Sequence, residues 1–343
     1  MIKTITLTNT RCFRQKHLKF DHFQTYMFGD NGVGKTTILE AIHMIATTKS
    51  HRTNQDKDLI QEGSSFSKIS LVTNQHTYDM VLTDKGKRVW LNGVEKRKLS
   101  QFIGHLNVVM FAPEDIELIK GSPSYRRQFL DISMIQIDAS YLDLLSKYKK
   151  ILKQRNVLLK KLDVHGDFTF LNILSEQLLI EAATIIEKRQ QLIDILNTYI
   201  QTITKQFELN RVLITYDKDV TLEQLQQHLL SKQKVDIIQQ TTTKGPHKDD
   251  FTVYLEQKNA SQFASQGQQR LLALSLKLAL FQYLKKDTQK ELILLLDDVL
   301  SELDDTHQQQ LLSYEFDQFP LLINSTHDHD TKNMHKIHLI KET

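Results

Sequence analysis

The chain is poor in the residues that make loops and covalent staples. It has a single cysteine, Cys12, which excludes a disulfide framework and favours a reducing compartment. Only 4 prolines and 11 glycines occur in 343 residues, so long helices with few loops are expected, and any cluster of glycines is informative. The longest clean apolar run, Leu292-Ile293-Leu294-Leu295-Leu296, falls far short of the ~20 residues that span a bilayer. The start, Met1-Ile2-Lys3-Thr4-Ile5-Thr6-Leu7, alternates like a strand and lacks a signal-peptide core. Together these point to a cytoplasmic protein without a membrane partner. The net charge is only +3, so a nucleic-acid partner would have to be held by local charge. What is present, 40% apolar and 25% charged residues, is the composition of a globular chain with a core.

Three textures follow one another. Residues 1–110 alternate in short strand-like stretches, with Asn92-Gly93 as a hairpin turn. One helix follows Gly34, with Ile38, Leu39, Ile42 and Ile45 on one face. Residues 124–206 contain almost no Gly or Pro and carry apolar residues at helical spacing, which predicts three long helices broken near His165-Gly166-Asp167. Strand signals return at Val212-Leu213-Ile214-Thr215-Tyr216 and Phe251-Thr252-Val253-Tyr254-Leu255. An apolar helix over about 266–284 then leads to a buried strand over 291–296 and another at Pro320-Leu321-Leu322-Ile323-Asn324. The expected fold class is α/β: a discontinuous domain of residues 1–122 and 207–343, interrupted by a helical insertion over 123–206.

Gly29-Asp30-Asn31-Gly32-Val33-Gly34-Lys35-Thr36 fits G-x-x-x-x-G-K-[ST], followed by Thr37. The glycines let successive N–H groups turn toward a phosphate, Lys35 neutralises its oxygens, and the Thr36 hydroxyl is a Mg²⁺ ligand. The start of the helix that follows adds its dipole. The strand before Asp297-Asp298 would deliver two carboxylates to the C-terminal edge of a parallel sheet. Asp297 would then serve the metal and Asp298 would polarise an attacking water. Further on, Ser265 and Gln268 form a capping-box pattern at the start of the apolar helix. Capping accounts for neither Gly267 nor the polar Gln269-Arg270.

At this segment the chain resembles the ABC ATPase superfamily, whose signature loop reads Leu-Ser-Gly-Gly-Gln. Ser265, Gly267 and Gln268 match it and Gln266 replaces the first glycine. Ser301-Glu302-Leu303-Asp304 looks like that superfamily's D-loop, and His327 takes the place of its switch histidine. The resemblance narrows to the RecF family through the segment from Pro113 to Asp131, through Gly245-Pro246-His247-Lys248-Asp249-Asp250, and through Leu296-Asp297-Asp298-Val299-Leu300-Ser301. His51-Arg52-Thr53, Tyr148 and Gln154-Arg155-Asn156 add to it. Glu114 stands where ABC proteins usually carry a glutamine, and Lys248 replaces a family arginine.

The resemblance implies an ABC-type P-loop ATPase head with an inserted helical lobe and no long coiled coil. It implies ATP and Mg²⁺ as cofactors, with Lys35 and Asp298 in catalysis and Thr36 and Asp297 at the metal. Nucleotide contacts would come from residues 29–37, Arg52 and His327, and from Ser265, Gly267 and Gln268 of a partner copy in an ATP-dependent homodimer. The implied partners are double-stranded and gapped DNA, with RecR and RecO and indirectly RecA, and the implied turnover is slow. A basic stretch, Lys147, Lys149, Lys150, Lys153, Arg155, Lys160 and Lys161, is a candidate phosphate-contacting face. Two alternatives are an ABC transporter subunit, against which Gln266 and Glu114 argue, and an ATP-gated DNA clamp with negligible hydrolysis.

Overall fold

The computed structural model describes residues 1–53, 55–163, 166–286, 290–313, 319–329, 331 and 334–341. His165, at the expected helix break, lies outside the described residues. The chain divides into two compact units: residues 1–116, 202–209 and 265–343, and residues 117–201 and 210–264.

The first unit begins with β1 (Ile2–Thr10), β2 (Phe13–Lys19), β3 (Gln24–Phe28) and α1 (Lys35–Thr47). It continues with β4 (Phe66–Thr73), β5 (Thr77–Thr83), β6 (Gly86–Leu91), β7 (Val94–Lys96) and β8 (Leu106–Phe111). The second unit holds α2 (Glu117–Lys120), α3 (Pro123–Ile137), α4 (Ser140–Leu159), most of α5 (Thr169–Gln206), β9 (Val212–Asp217), α6 (Leu222–Ser231), α7 (Lys234–Gln239), β10 (Asp250–Leu255), β11 (Lys258–Asn259) and α8 (Ala260–Phe263). The chain then returns to the first unit with α9 (Gln266–Leu284), β12 (Glu291–Asp297), α10 (Asp305–Leu312), β13 (Leu321–Ser325) and β14 (His335–His338).

Two sheets build the first unit. The antiparallel one runs β2-β1-β4-β5-β6-β7, and the other runs β14-β3-β13-β12-β8 with every neighbouring pair parallel. The periodicity of each follows from its surroundings. β4 and β5 alternate buried and partly exposed positions, as a sheet with one wet face does. β8 and β12 are buried at every position, which is why Leu292 to Leu296 is an unbroken apolar run. Helix α1 is buried at almost every residue and shares one apolar cluster with both sheets, through Ile38, Ile42, Ile5, Leu71, Val108 and Leu295.

The domain boundary differs from the expected one. Residues 210–264, placed with the head from the sequence, pack with the helices. The reason is side-chain chemistry: Asn197 of α5 donates to the Ile214 carbonyl at 2.8 Å and accepts from its N–H at 2.9 Å. Arg126 of α3 grips Asp250 with two bonds of 2.6 and 2.7 Å. The segment 245–250 is bound into the same unit, since Arg189 donates to the Pro246 carbonyl at 2.6 Å and to Asp131 at 2.9 Å. Tyr148 meets His247 Nδ1 at 2.7 Å.

Arg155 also departs from expectation. It lies on the buried face of α4 with Tyr148, Ile151 and Leu159 and pairs with Asp236 at 2.7 Å, both side chains being 0% exposed. It therefore does not belong to the exposed basic stretch, which is left with the lysines, Lys147 among them being paired with Glu181. Among the described residues one helix, α5, is long and apolar enough by composition to cross a membrane; Leu178, Ala182, Ile185, Leu192 and Leu196 on it are buried in the protein.

Removing one partner of a buried pair leaves a bare charge in a low-dielectric interior. Asp236→Ala should therefore lower the unfolding free energy by about 3–5 kcal/mol in a urea titration. Lys153→Ala on the exposed side of α4, the helix that carries Arg155, should change it by less than about 0.5 kcal/mol. Equal effects would mean that the pair contributes nothing.

Candidate nucleotide site

Because β3, β12 and β13 run parallel, their C-terminal ends meet at one edge of the sheet, where open α/β folds bind ligands. In register, Asp297 of β12 stands beside Asn324 of β13, and Asn324 beside Met27 of β3. The glycine loop leaves the end of β3 and feeds α1, so the two motifs meet in space.

The loop needs glycine where the structure is tightest. Gly34 caps α1 with φ +96, and a Cβ there would sit 2.2 Å from the Phe13 ring. Gly29 has φ +150 and would press a Cβ to 2.2 Å from the Leu339 carbonyl oxygen. Lys35 folds back over this loop and donates to the Gly29 carbonyl at 2.6 Å and the Asp30 carbonyl at 2.8 Å. An ammonium has three N–H donors, which leaves one for an anion in the cavity.

On the other wall, Thr36 Oγ1 donates to Asp297 Oδ1 at 2.9 Å and Asn324 Nδ2 donates to the same oxygen at 2.6 Å. Asn324 Oδ1 in turn accepts from the Asp298 N–H at 2.6 Å. Asp298 has φ +50, and its buried Oδ1 finds no hydrogen-bond partner among the described residues. Burial pushes the Asp297 carboxyl above the ordinary aspartate range, against the Asn324 and Thr36 hydrogen bonds. Burial also lowers the Lys35 ammonium, opposed by Asp298, Asp297 and Asp30. Both groups thus sit where an extra counter-charge would be welcome, a cation at the aspartates and an anion at the lysine. Thr36, Asp297 and the unpartnered Asp298 oxygen form an all-oxygen donor set suited to a hard divalent ion such as Mg²⁺.

These residues share a cavity of about 360 Å³, walled by Lys35, Thr36, Thr37, Arg52, Asp297 and Asp298 together with Asn31, Gly32 and Gly34. That volume lies in the range of small-molecule sites, ~300–1,000 Å³. Gly29, Asp30 and Val33 belong to the loop but do not line the cavity. Neither do Ser265, Gly267 and Gln268, which form a capping box at the start of α9: Gln268 N–H donates to Ser265 Oγ at 3.2 Å and the Gln268 side chain accepts from Ser265 N–H at 2.9 Å. Among the described residues nothing lies within 4 Å of a Cβ built on Gly267, which is exposed, so that helix start faces outward. His327 is exposed and off the cavity wall, its Nδ1 2.8 Å from the Thr326 hydroxyl. Glu114 is exposed beside the buried Asp115.

Sequence reasoning missed four wall residues: Arg11, Cys12, Asn324 and Thr326. A signal existed for Asn324, the first polar residue after the apolar run of β13 and therefore at the same edge as Asp297. Arg11 and Cys12 sit in the β1–β2 turn and carry no motif.

The fold and the cavity define a P-loop nucleotide-binding domain of the ABC/SMC head type. Residues 1–342 match the RecF/RecN/SMC N-terminal domain family. The DNA replication and repair protein RecF of Acholeplasma laidlawii (strain PG-8A) is 47% identical over 313 residues, covering 91% of this chain and 90% of that protein. RecF of Lactobacillus johnsonii is 41% identical over 341 residues, covering 93% and 91%. The chain belongs to the RecF family. A solved structure of the recombination mediator protein RecF with ATP, in the RecFOR pathway, is similar with a TM-score of 0.88 at 29% identity, covering 96% of this chain and 92% of that one. An Smc head bound to the C-winged helix domain of ScpA, 14% identical with a TM-score of 0.52 over 95% and 90%, shares the fold alone.

One hydrogen-bond clasp can be tested directly. Asn324→Ala strips a partner from the Asp298 N–H and from Asp297, which should lower the unfolding free energy by about 1–3 kcal/mol. It should also weaken Mg²⁺-dependent nucleotide binding, read by calorimetry. A variant unchanged in both would show that Asn324 does not set the carboxylates.

Proposed function

We propose that this chain is a DNA-repair ATPase that binds ATP with Mg²⁺ in the cavity of the first unit and couples it to a homodimer on DNA. The observation that carries the reading is that a glycine loop, its lysine and a pair of strand-end aspartates share one cavity. The loop N–H groups, Lys35 and Thr37 would hold the phosphates, helped by the dipole of α1. Thr36 and Asp297 would ligate Mg²⁺, which when bound bridges and neutralises phosphate oxygens. Asp298 would orient and polarise the attacking water, and Arg52 would add positive charge to the wall.

The outward-facing start of α9 supports a composite site. Ser265, Gly267 and Gln268 do not line the cavity of their own unit, but a helix start with nothing packed over Gly267 among the described residues is suited to the terminal phosphate held by a second copy. His327 would approach the same phosphate. The resemblance to the RecF family extends the proposal to duplex DNA at single-strand gaps, where this chain with RecO and RecR would help to load RecA, slow hydrolysis resetting the dimer. The exposed lysines of α4, Lys149, Lys150 and Lys153, are the proposed phosphodiester contacts.

Two experiments test this. Asp298→Asn should retain ATP and hydrolyse it poorly, and ATP with Mg²⁺ should tighten its binding to a labelled gapped duplex by about tenfold or more, roughly 1.4 kcal/mol of coupling. DNA affinity that ignores ATP would remove the nucleotide-gated role. Separately, Lys35→Met and Ser265→Arg proteins, each inactive, should regain ATPase activity on mixing, because a mixed dimer keeps one intact composite site. No recovery would sink the two-chain arrangement.

A further inference from the structure

Two arginines line the nucleotide cavity, Arg11 and Arg52, and neither lies in a helix or strand. What fixes them is a buried carboxylate that no motif predicted. Glu40 of α1 is 0% exposed. It accepts from Arg11 twice, Nη2 to Oε1 at 3.0 Å and Nε to Oε2 at 3.3 Å, and from the Ser50 hydroxyl. Ser50 Oγ then accepts from the backbone N–H groups of Arg52 and Thr53, both at 3.0 Å. One carboxylate therefore holds the first arginine by its side chain and the second by its backbone.

The same loop is braced from its other side. His51, its side chain 8% exposed, places Nε2 3.7 Å from Asp115. Asp115 takes Lys277 of α9 at 2.9 Å and the Ala112 N–H at 2.9 Å. Burial alone would raise the Asp115 carboxyl, but Lys277 and His51 outweigh it and hold it below the usual range. Behind His51 stands the His43 ring, 5.7 Å away between centroids, which burial keeps neutral with a pKa of about 3.

A charge inside an otherwise apolar helix face is costly unless it is paired. Packing alone would accept an aliphatic residue at position 40, so the carboxylate must be explained by what it holds. We infer that Glu40 is a positioning residue of the nucleotide site, presetting Arg11 directly and Arg52 through Ser50. The inference rests on the reading that ATP occupies this cavity. Its chemical consequence is a division of charge: Arg11 is neutralised by Glu40, whereas the Arg52 guanidinium keeps its net positive charge for the phosphates. A preset arginine loses less freedom when the nucleotide arrives.

The test is a double-mutant cycle on the full chain, read as binding of a fluorescent ATP analogue with Mg²⁺. Ser50→Ala and Arg52→Ala should each weaken binding by about tenfold, and the double variant by about tenfold again rather than a hundredfold, because Ser50 acts through Arg52. Ser50→Thr, which restores the hydroxyl, should bind as the unaltered protein does. Losses that multiply, or a Ser50→Ala protein with unaltered affinity, would overturn the positioning role. If Ser50→Ala does not fold, the cycle of Glu40→Gln with Arg52→Ala, run in an Arg11→Ala background so that the direct effect on Arg11 is removed, reads the coupling to Arg52. Lys35→Ala is the control: if it binds the analogue undiminished, the nucleotide site lies elsewhere and the inference falls with that reading, whereas lost binding there with multiplying Ser50 and Arg52 effects condemns the positioning role alone.

Discussion

Asn324 donates from Nδ2 to Asp297 and accepts at Oδ1 from the Asp298 N–H, so one amide ties two parallel strands together at the edge where they end. This clasp only works at one register. β12 and β13 are buried throughout their length, and sliding either by one residue would draw a carboxylate or an amide into the apolar core, where an unpaired polar group costs several kcal/mol. The lengths of the apolar runs therefore set where the polar tips emerge. The loop from β3, locked to β13 through its own parallel pairing, inherits the same level. The cavity and the level at which Asp297, Asp298 and Lys35 meet in it all depend on that alignment.

Local chemistry explains which parts were legible in the sequence. The glycine loop and the strand before Asp297 each carry their reason in consecutive residues: a backbone that must bend, and a buried strand that must end in charge. The helices were readable for the same reason, since α9 shows its apolar spacing and its cap in one stretch. Residues that act across the fold were not readable. Glu40 looks like an ordinary helix former until Arg11 and Ser50 are seen around it, 29 and 10 residues away. Arg155 was misread because its neighbours are lysines, although its spacing from Tyr148, Ile151 and Leu159 places it on the buried face. The segment 210–264 went to the wrong unit because the strand patterns at 212–217 and 250–255 resemble those of the head, while their anchors, Asn197 and Arg126, lie in helices read only for periodicity.

Charge is handled differently in the two units. In the second, arginines are sealed against carboxylates: Arg155 with Asp236, Arg189 with Asp131. Such pairs add little net stability over apolar packing but are costly to break singly, and they hold helices and the 245–250 segment in one arrangement. In the first unit Arg11 is paired with Glu40, but part of the cavity wall is left without such a partner among the described residues. Lys35 meets only carbonyls at hydrogen-bond distance, and Asp298 keeps an oxygen without a partner among the described residues. Satisfied networks rigidify, whereas unsatisfied ones mark where a charged ligand completes the structure.

Asp297 and Asp298 are adjacent, and in a strand adjacent side chains point to opposite faces. Both nevertheless line one cavity. The strand stops at Asp297, and the left-handed backbone at Asp298, φ +50, breaks the alternation that would have turned its carboxylate away. For a residue with a Cβ that conformation costs roughly 1–2 kcal/mol, although aspartate tolerates it better than most. Glycine would adopt it without strain but would bring no carboxylate. The two neighbours therefore reach one cavity in unlike states: Asp297 clasped, buried and shifted toward the neutral form, and Asp298 strained with an unpartnered oxygen. Two carboxylates of one chemistry divide between roles when their surroundings differ. Here the difference in surroundings arises where a buried strand ends and the backbone turns left-handed at Asp298.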